Sequence, residues 1–187
     1  MNMRKAAIMS LVLTTLLVGF TGVASAQGEG ELYTTYVIIG GALAIIIAGM
    51  ASAIGLMLAG SSAVAVVAEK PELFGKCLVL QVLPMTQSVY GLLTAILLML
   101  GAGLLGGAGG ATITMVQGLG AIFIGLAVGI TGISAVNQGI VASSSITATG
   151  RNPDIAARGI IFTVMPETIA IFGLLVGILL MSGLGLL

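Results

Sequence analysis

The sequence predicts an all-α membrane protein of four transmembrane helices, folded as two tandem, duplicated helical hairpins. Three observations carry that prediction. The chain is 58% hydrophobic and only 6% charged, with a mean hydropathy of +1.25, whereas about a quarter of the residues of a soluble domain are charged. Four apolar segments each exceed the ~20 residues a helix needs to cross a bilayer. A gapless shift of 82 residues, which brings Pro71 onto Pro153, lays the second half of the chain on the first.

Residues 1–26 read as a signal peptide. Arg4 and Lys5 form its basic start, residues 6–23 its apolar stretch, and Ala24-Ser25-Ala26 a small-residue cleavage site. The competing reading is a retained first transmembrane helix. Residues 27–105 then form the first hairpin and residues 106–187 the second. The apolar segments run from about residue 32 to 68, 73 to 105, 112 to 149, and 155 to the C-terminus. Helices this long must tilt or project beyond the lipid. The Gly-rich stretch from Gly101 to Gly110 joins the hairpins, and it lacks the Lys-Ser/Thr end of a phosphate-binding loop.

Two polar turns hold every Lys and Arg beyond Lys5: Glu69-Lys70-Pro71-Glu72 with Lys76, and Arg151-Asn152-Pro153-Asp154 with Arg158. The positive-inside rule puts both in the cytoplasm and both termini outside, in a multi-pass cell-membrane protein. The signal-peptide reading predicts the same topology independently. Net charge is zero, so nucleic-acid binding has no electrostatic support. There is no His and one Cys, Cys77, which excludes a His/Cys metal site, a Cys-His nucleophile and a disulfide framework.

The repeat is dense in matches. It aligns Glu72 with Asp154, Lys76 with Arg158, Pro84 with Pro166, Thr86 with Thr168, Ser52-Ala53 with Ser134-Ala135, and Gly91-Leu92-Leu93 with Gly173-Leu174-Leu175. Its main exception is Glu167, which falls opposite Met85. Glu167 stands alone in the apolar run from Ile160 to Phe172, where an ionised, unpaired carboxylate costs several kcal/mol. Such residues face a bundle interior and mark ion or proton paths.

Other polar residues lie near its depth. Leu83, Thr86, Gln87 and Tyr90 follow i, i+3, i+4, i+7 spacing and share a helix face. Asn137 and Gln138 interrupt the third segment. Counting from the nearest turn charge, Glu167 is roughly 13 Å deep, Gln87 roughly 16 Å and Gln138 roughly 20 Å. One carboxylate, two amide oxygens and a hydroxyl suit a hard monovalent cation or a proton and not a soft transition metal. Tyr90 is placed to donate to Glu167. The competing reading is interhelical hydrogen bonding for packing alone. Pro84 and Pro166 kink their helices and press on the carbonyls of Leu80 and Phe162. Gly49, Gly55 and Gly60 in the first segment, with Gly118, Gly125, Gly129 and Gly132 in the third, predict a tightly packed inner layer with bulkier outer helices. Gln117 and Ser143-Ser144-Ser145 read as helix-end or packing residues.

The double hairpin with Leu83-Pro84-Met85-Thr86-Gln87-Ser88-Val89-Tyr90-Gly91 and Met165-Pro166-Glu167-Thr168-Ile169-Ala170-Ile171-Phe172-Gly173 resembles the proteolipids (c, or K) of V-type and archaeal/bacterial A/V-type rotary ATPases and ATP synthases. The resemblance runs from about Glu31 to the end. It implies a homo-oligomeric rotor ring in the membrane, with the first helix of each hairpin lining the inside and Glu167 as the ion-carrying carboxylate. In sodium-translocating members, a leucine carbonyl, a Thr hydroxyl, two Gln side chains and the Glu hold the ion, and a Tyr supports the Glu. Those roles fall on Leu83, Thr86, Gln87, Gln138, Glu167 and Tyr90, which makes Na⁺ the expected cargo and H⁺ the alternative. The Leu83 carbonyl rests on the resemblance alone.

The same resemblance implies a stator membrane subunit that supplies an Arg, and a central stalk docked on Lys70, Lys76, Arg151 and Arg158. No organic cofactor is expected. The chain carries no nucleotide motif, so it is expected to be a non-catalytic, ion-translocating subunit. A secondary transporter for a cationic drug is the reading from another class. It wants aromatic walls, and aromatic residues make up 4% of the chain, with no Trp.

Overall fold

A computed structural model describes residues 29–105 and 112–187, with side chains from residue 32. The expected signal peptide and part of the Gly-rich connection lie outside the described residues. The elements are α1 (Glu29–Glu69), α2 (Phe74–Val82), α3 (Thr86–Gly101), α4 (Met115–Thr131), α5 (Ser134–Arg151), α6 (Ala156–Val164) and α7 (Glu167–Gly183). Short 3-10 turns occupy Pro71–Leu73, Leu83–Met85 and Pro153–Ile155. No strand occurs among the described residues. Among the described residues the helices combine into four candidate membrane spans, Leu32–Glu69, Pro71–Gly101, Met115–Arg151 and Pro153–Gly183.

Only the first span is one uninterrupted helix. It holds no proline, and at 1.5 Å per residue its length is about twice a ~30 Å hydrocarbon core. The second span breaks at Leu83–Met85 around Pro84, and the fourth breaks around Pro166, between Val164 and Glu167. Proline has no N–H to continue the ladder, and its ring clashes with the preceding turn.

The third span, expected as one segment, also breaks, between Thr131 and Ser134, with no proline near. Ile133, Ala135 and Val136 donate to carbonyls three residues back, at 3.0–3.1 Å. The Thr131 hydroxyl bonds back to the carbonyls of Ala127 (2.8 Å) and Val128 (3.1 Å). Hydroxyls that bond backward in this way bend helices, and Gly132 follows with the weakest local helix preference.

α1 is the hub, packed along the third span with backbones nearly touching. A Cβ on Gly40 would strike the Ala121 carbonyl, and one on Gly125 the Gly40 carbonyl. Lower in the bundle, a Cβ on Gly139 would meet the Gly55 backbone, and one on Gly55 the Ala135 carbonyl. The expected close layer between first and third segments is therefore present, but its membership differs. Gly49 has nothing within 4 Å, and Gly60 faces the Gln81 side chain of α2. Gly40 and Gly139 take part instead. Glycine composition marks a close-packed helix, but which face is buried depends on the partner's position.

Two apolar clusters bracket the middle of the bundle. Val37, Leu98, Ile124 and Met181 close the end nearest the termini. Leu73, Cys77, Leu80, Ala142 and Ile146 close the end nearest the polar turns. Cys77 is a buried apolar residue there, as its helical setting suggests. The two polar turns are tied together: Lys70 Nζ donates to the Gly150 carbonyl (2.6 Å) and Lys76 Nζ to the Pro153 carbonyl (2.9 Å). Gly150 is in the last turn of α5, where carbonyls lack helical partners and attract cations. At the far end, Thr114 and Gln117 form a reciprocal cap on α4, and Gln117 Nε2 donates to the Leu184 carbonyl (3.0 Å).

Candidate ion-binding site

Between the two apolar clusters lies a band of buried polar groups, built by the breaks in the helices. Pro84 forces the 3-10 turn at Leu83–Met85, and the turn returns the Thr86 N–H to the Leu83 carbonyl. The Thr86 hydroxyl donates to the same carbonyl at 3.0 Å and to Gln87 Oε1 at 3.2 Å. The kink thus gathers three oxygens within five residues. The Leu83 carbonyl, assigned by resemblance alone, lies in direct contact with this group, whereas the Leu80 side chain packs into the apolar cluster at the polar-turn end.

Gln87 and Gln138 are both fully buried, at 0% exposure. Gln87 Nε2 donates to Gln138 Oε1 at 2.6 Å, linking the second and third spans. Gln138 Nε2 donates to Glu167 Oε2 at 3.3 Å, linking the third and fourth. The Tyr90 hydroxyl donates to Glu167 Oε1 at 2.6 Å and closes the circuit. All six residues expected at the site, Leu83, Thr86, Gln87, Tyr90, Gln138 and Glu167, therefore form one hydrogen-bonded chain. Glu167 is the first residue of α7, immediately after the Pro166 kink. A carboxylate at a helix N-terminus faces the positive end of the helix dipole.

Hydrogen bonds to a charged group contribute about 1.5–3 kcal/mol each. The Tyr90 and Gln138 bonds therefore offset much of the several kcal/mol that an isolated carboxylate costs in lipid. Among the described residues no cluster of three or more His, Cys, Asp or Glu side chains gathers. The donor set is one carboxylate, two amides, a hydroxyl and a carbonyl, a set suited to a hard cation held through oxygen.

The structure separates Asn137 from Gln138. Asn137 is exposed, about 100° round α5 from the buried Gln138. It also adds residues that sequence reasoning did not place at the site. Ser52 Oγ accepts the Ser88 N–H at 3.1 Å and holds the kinked second span against α1. The Thr94 hydroxyl donates to the Tyr90 carbonyl at 2.9 Å, one turn beyond the phenol. The repeated Ser-Ala pair was the visible signal for Ser52. For Thr94 the signal was its i+4 spacing from Tyr90.

Comparison with known proteins bears on this arrangement. The model of the family described as the ATP synthase C-subunit matches residues 39–98 and 122–180, once in each hairpin. A-type ATP synthase subunit K of Methanocaldococcus jannaschii is 50% identical over 139 residues, 74% of this chain and 60% of that protein. V-type sodium ATPase subunit K of Enterococcus hirae is 36% identical over 146 residues, 78% of this chain and 89% of that protein. The V-type proton ATPase 16 kDa proteolipid of Nephrops norvegicus is 29% identical over 157 residues, 83% of this chain and 96% of that protein. With four spans, a match in each hairpin and half its aligned residues shared with a subunit K, the chain belongs to the ATP synthase C-subunit family, among its V-type c/K proteolipids.

Proposed function

We propose that this chain is the rotor-ring subunit of the membrane sector of a rotary ATPase or ATP synthase, and that it carries Na⁺ on Glu167. The observation that carries the reading is the closed chain of hydrogen bonds, Tyr90 to Glu167 at 2.6 Å, Gln138 to Glu167 at 3.3 Å and Gln87 to Gln138 at 2.6 Å. It gathers one charge and several neutral oxygens where the second, third and fourth spans meet. One carboxylate balances one Na⁺, and an occupied, neutral site is free to face lipid. An emptied Glu167 is costly there and needs a positive partner, which a stator Arg supplies. That rule forbids an empty site from turning into lipid, so ion passage is coupled to rotation. The membrane potential contributes about 2.3 kcal/mol per charge per 100 mV.

Leu83, Thr86, Gln87, Gln138 and Glu167 are the proposed ligands, and Tyr90 holds the carboxylate. The polar turns face the cytoplasm on this reading and meet the central stalk. Lys70 is engaged with the Gly150 carbonyl at the end of α5 and Lys76 with the Pro153 carbonyl of the second turn, so Arg151 and Arg158 are the cations we assign to that contact. ATP chemistry belongs to other subunits of the complex.

The relatives divide over the ion: the E. hirae protein is named for sodium and the N. norvegicus protein for protons. A proton carrier needs only the carboxylate, whereas this chain buries two glutamines at the carboxylate's side, which favours Na⁺. Carbodiimide labelling of Glu167 in the purified assembly tests this. Sodium is expected to slow labelling at fixed pH. A rate that answers to pH and never to Na⁺ makes H⁺ the cargo.

A further inference from the structure

Ser134 opens α5, directly after the break in the third span. It is 7% exposed, and its Oγ has no hydrogen-bond partner among the described residues. Other buried hydroxyls turn back on their own helix, Thr94 onto Tyr90, Thr149 onto Ser145 and Thr163 onto Gly159. Its repeat counterpart, Ser52, holds the Ser88 N–H. A buried hydroxyl with no partner is penalised, and native structures satisfy such groups with protein or with ordered water.

The register of the bundle shows where this hydroxyl lies. The third and fourth spans run antiparallel, with Ser145 bonded to Gly159, Gln138 to Glu167, and Thr131 against Gly173. On that register Ser134 stands level with Ala170, which is 1% exposed and offers only a methyl. Ser134 and Gln138 are four residues apart and share a helix face. Long helical side chains lean toward the N-terminus of their helix, which for Gln138 is the turn that holds Ser134. Ser134 therefore borders the Gln138–Glu167 pair on the side of the termini, about one helical turn away. The Glu167 oxygens each accept one bond, so the carboxylate keeps acceptor capacity.

We propose that Ser134 holds a single water molecule against the Glu167 carboxylate, and that this water is a further neutral oxygen for the carried ion. The proposal rests on the carrier reading of Glu167. A bridging water needs at least two polar partners, and the serine hydroxyl and the carboxylate provide them. The serine is a positioning residue that acts on the ion through the water.

The test compares purified wild-type assembly with Ser134→Ala and Ser134→Thr, using a density map fine enough to show ordered water and the rate of carbodiimide labelling at Glu167 with and without Na⁺. The expected result is a water peak within about 3.2 Å of Ser134 Oγ in the wild type, lost in Ser134→Ala. The labelling rate of Ser134→Ala should differ by about threefold or more, as one lost net hydrogen bond implies, and Ser134→Thr should restore it. No peak in the wild type, or rates within about twofold of each other, overturns the proposal. Wild-type assembly that takes no label at Glu167 overturns the carrier reading instead, and does so before any variant is compared.

Discussion

Met85 and Glu167 occupy equivalent places in the two hairpins, each one residue after the proline that kinks its span. Met85 is 48% exposed and its thioether side chain has no N–H or O–H to donate, whereas the half-buried Glu167 side chain accepts from Tyr90 and Gln138. The difference extends to the partners. The counterpart of Tyr90 is Phe172 and that of Gln138 is Leu56, neither of which can donate a hydrogen bond. The duplication has thus kept a proline kink in both halves and a donor set in one. A carboxylate in lipid is tolerated only with its donors, so charge and donors are present together or absent together.

The strongest way to break this comparison is to move the charge. Glu167→Gln is expected to reduce ATP-driven ion uptake into vesicles holding the assembled complex to background. Adding Met85→Glu should not restore it, because position 85 lacks a Tyr and a Gln opposite. It should also destabilise the assembly by several kcal/mol, the cost of an unpaired carboxylate in an apolar setting. Uptake recovered by the double variant would mean that the site is defined by the proline kink alone.

Giving the second hairpin the first hairpin's partners is the next test. Gln138→Leu installs the Leu56 residue type. It removes the donor at Glu167 Oε2 and leaves the Gln87 amide without its acceptor. The expected loss is one bond to a charged group plus one stranded amide, or about 3 kcal/mol, roughly a hundredfold rise in the Na⁺ concentration that half-protects Glu167 from carbodiimide. Tyr90→Phe installs the Phe172 residue type and removes one bond. About 1.5–3 kcal/mol, or roughly a ten- to hundredfold rise, is expected from it. Equal effects from both variants would show that Gln87 adds nothing through Gln138.

The glycine layer contrasts two positions in the same way. Gly139→Ala drives a methyl into the Gly55 backbone, with no side chain there to yield, and should cost about 1–3 kcal/mol per copy. Gly49→Ala meets open space and should be neutral, or stabilising by up to about 1 kcal/mol from helix propensity. Thermal unfolding of the purified assembly separates them.

Much of this was legible in the residues. Hydropathy and the repeat predict four spans, because a lipid environment leaves helices few alternatives. Pro84 and Pro166 predict two kinks, because proline acts locally. Thr86, Gln87, Tyr90, Gln138 and Glu167 were visible as site candidates because polar groups inside apolar runs are expensive and therefore rarely idle, whereas Leu83 came from the family resemblance alone. The break at Thr131–Ser134 was not visible. Thr and Gly are common inside membrane helices, and whether a threonine hydroxyl bends its helix depends on rotamer and packing. Gly49 was misplaced for a related reason: composition shows that a helix packs closely but does not show which of its faces does so.

The smallest expected effect concerns the serines. Ser52→Ala removes the acceptor of the Ser88 N–H, which lies one turn after Pro84 in a kinked helix. That amide can relax toward the Pro84 carbonyl of its own helix, so the cost should fall near 1 kcal/mol, at the low end for a stranded donor. Ser134→Ala removes no bond to protein, since Ser134 Oγ makes none among the described residues. Paired thermal unfolding should therefore lower the midpoint for Ser52→Ala more than for Ser134→Ala, while the labelling rate at Glu167 should shift more for Ser134→Ala. Each serine would then report its own hairpin, one acting as a fastening and the other as a neighbour of the ion. Matching shifts in both measurements would place the two serines in equivalent surroundings and remove one of the points at which the halves differ.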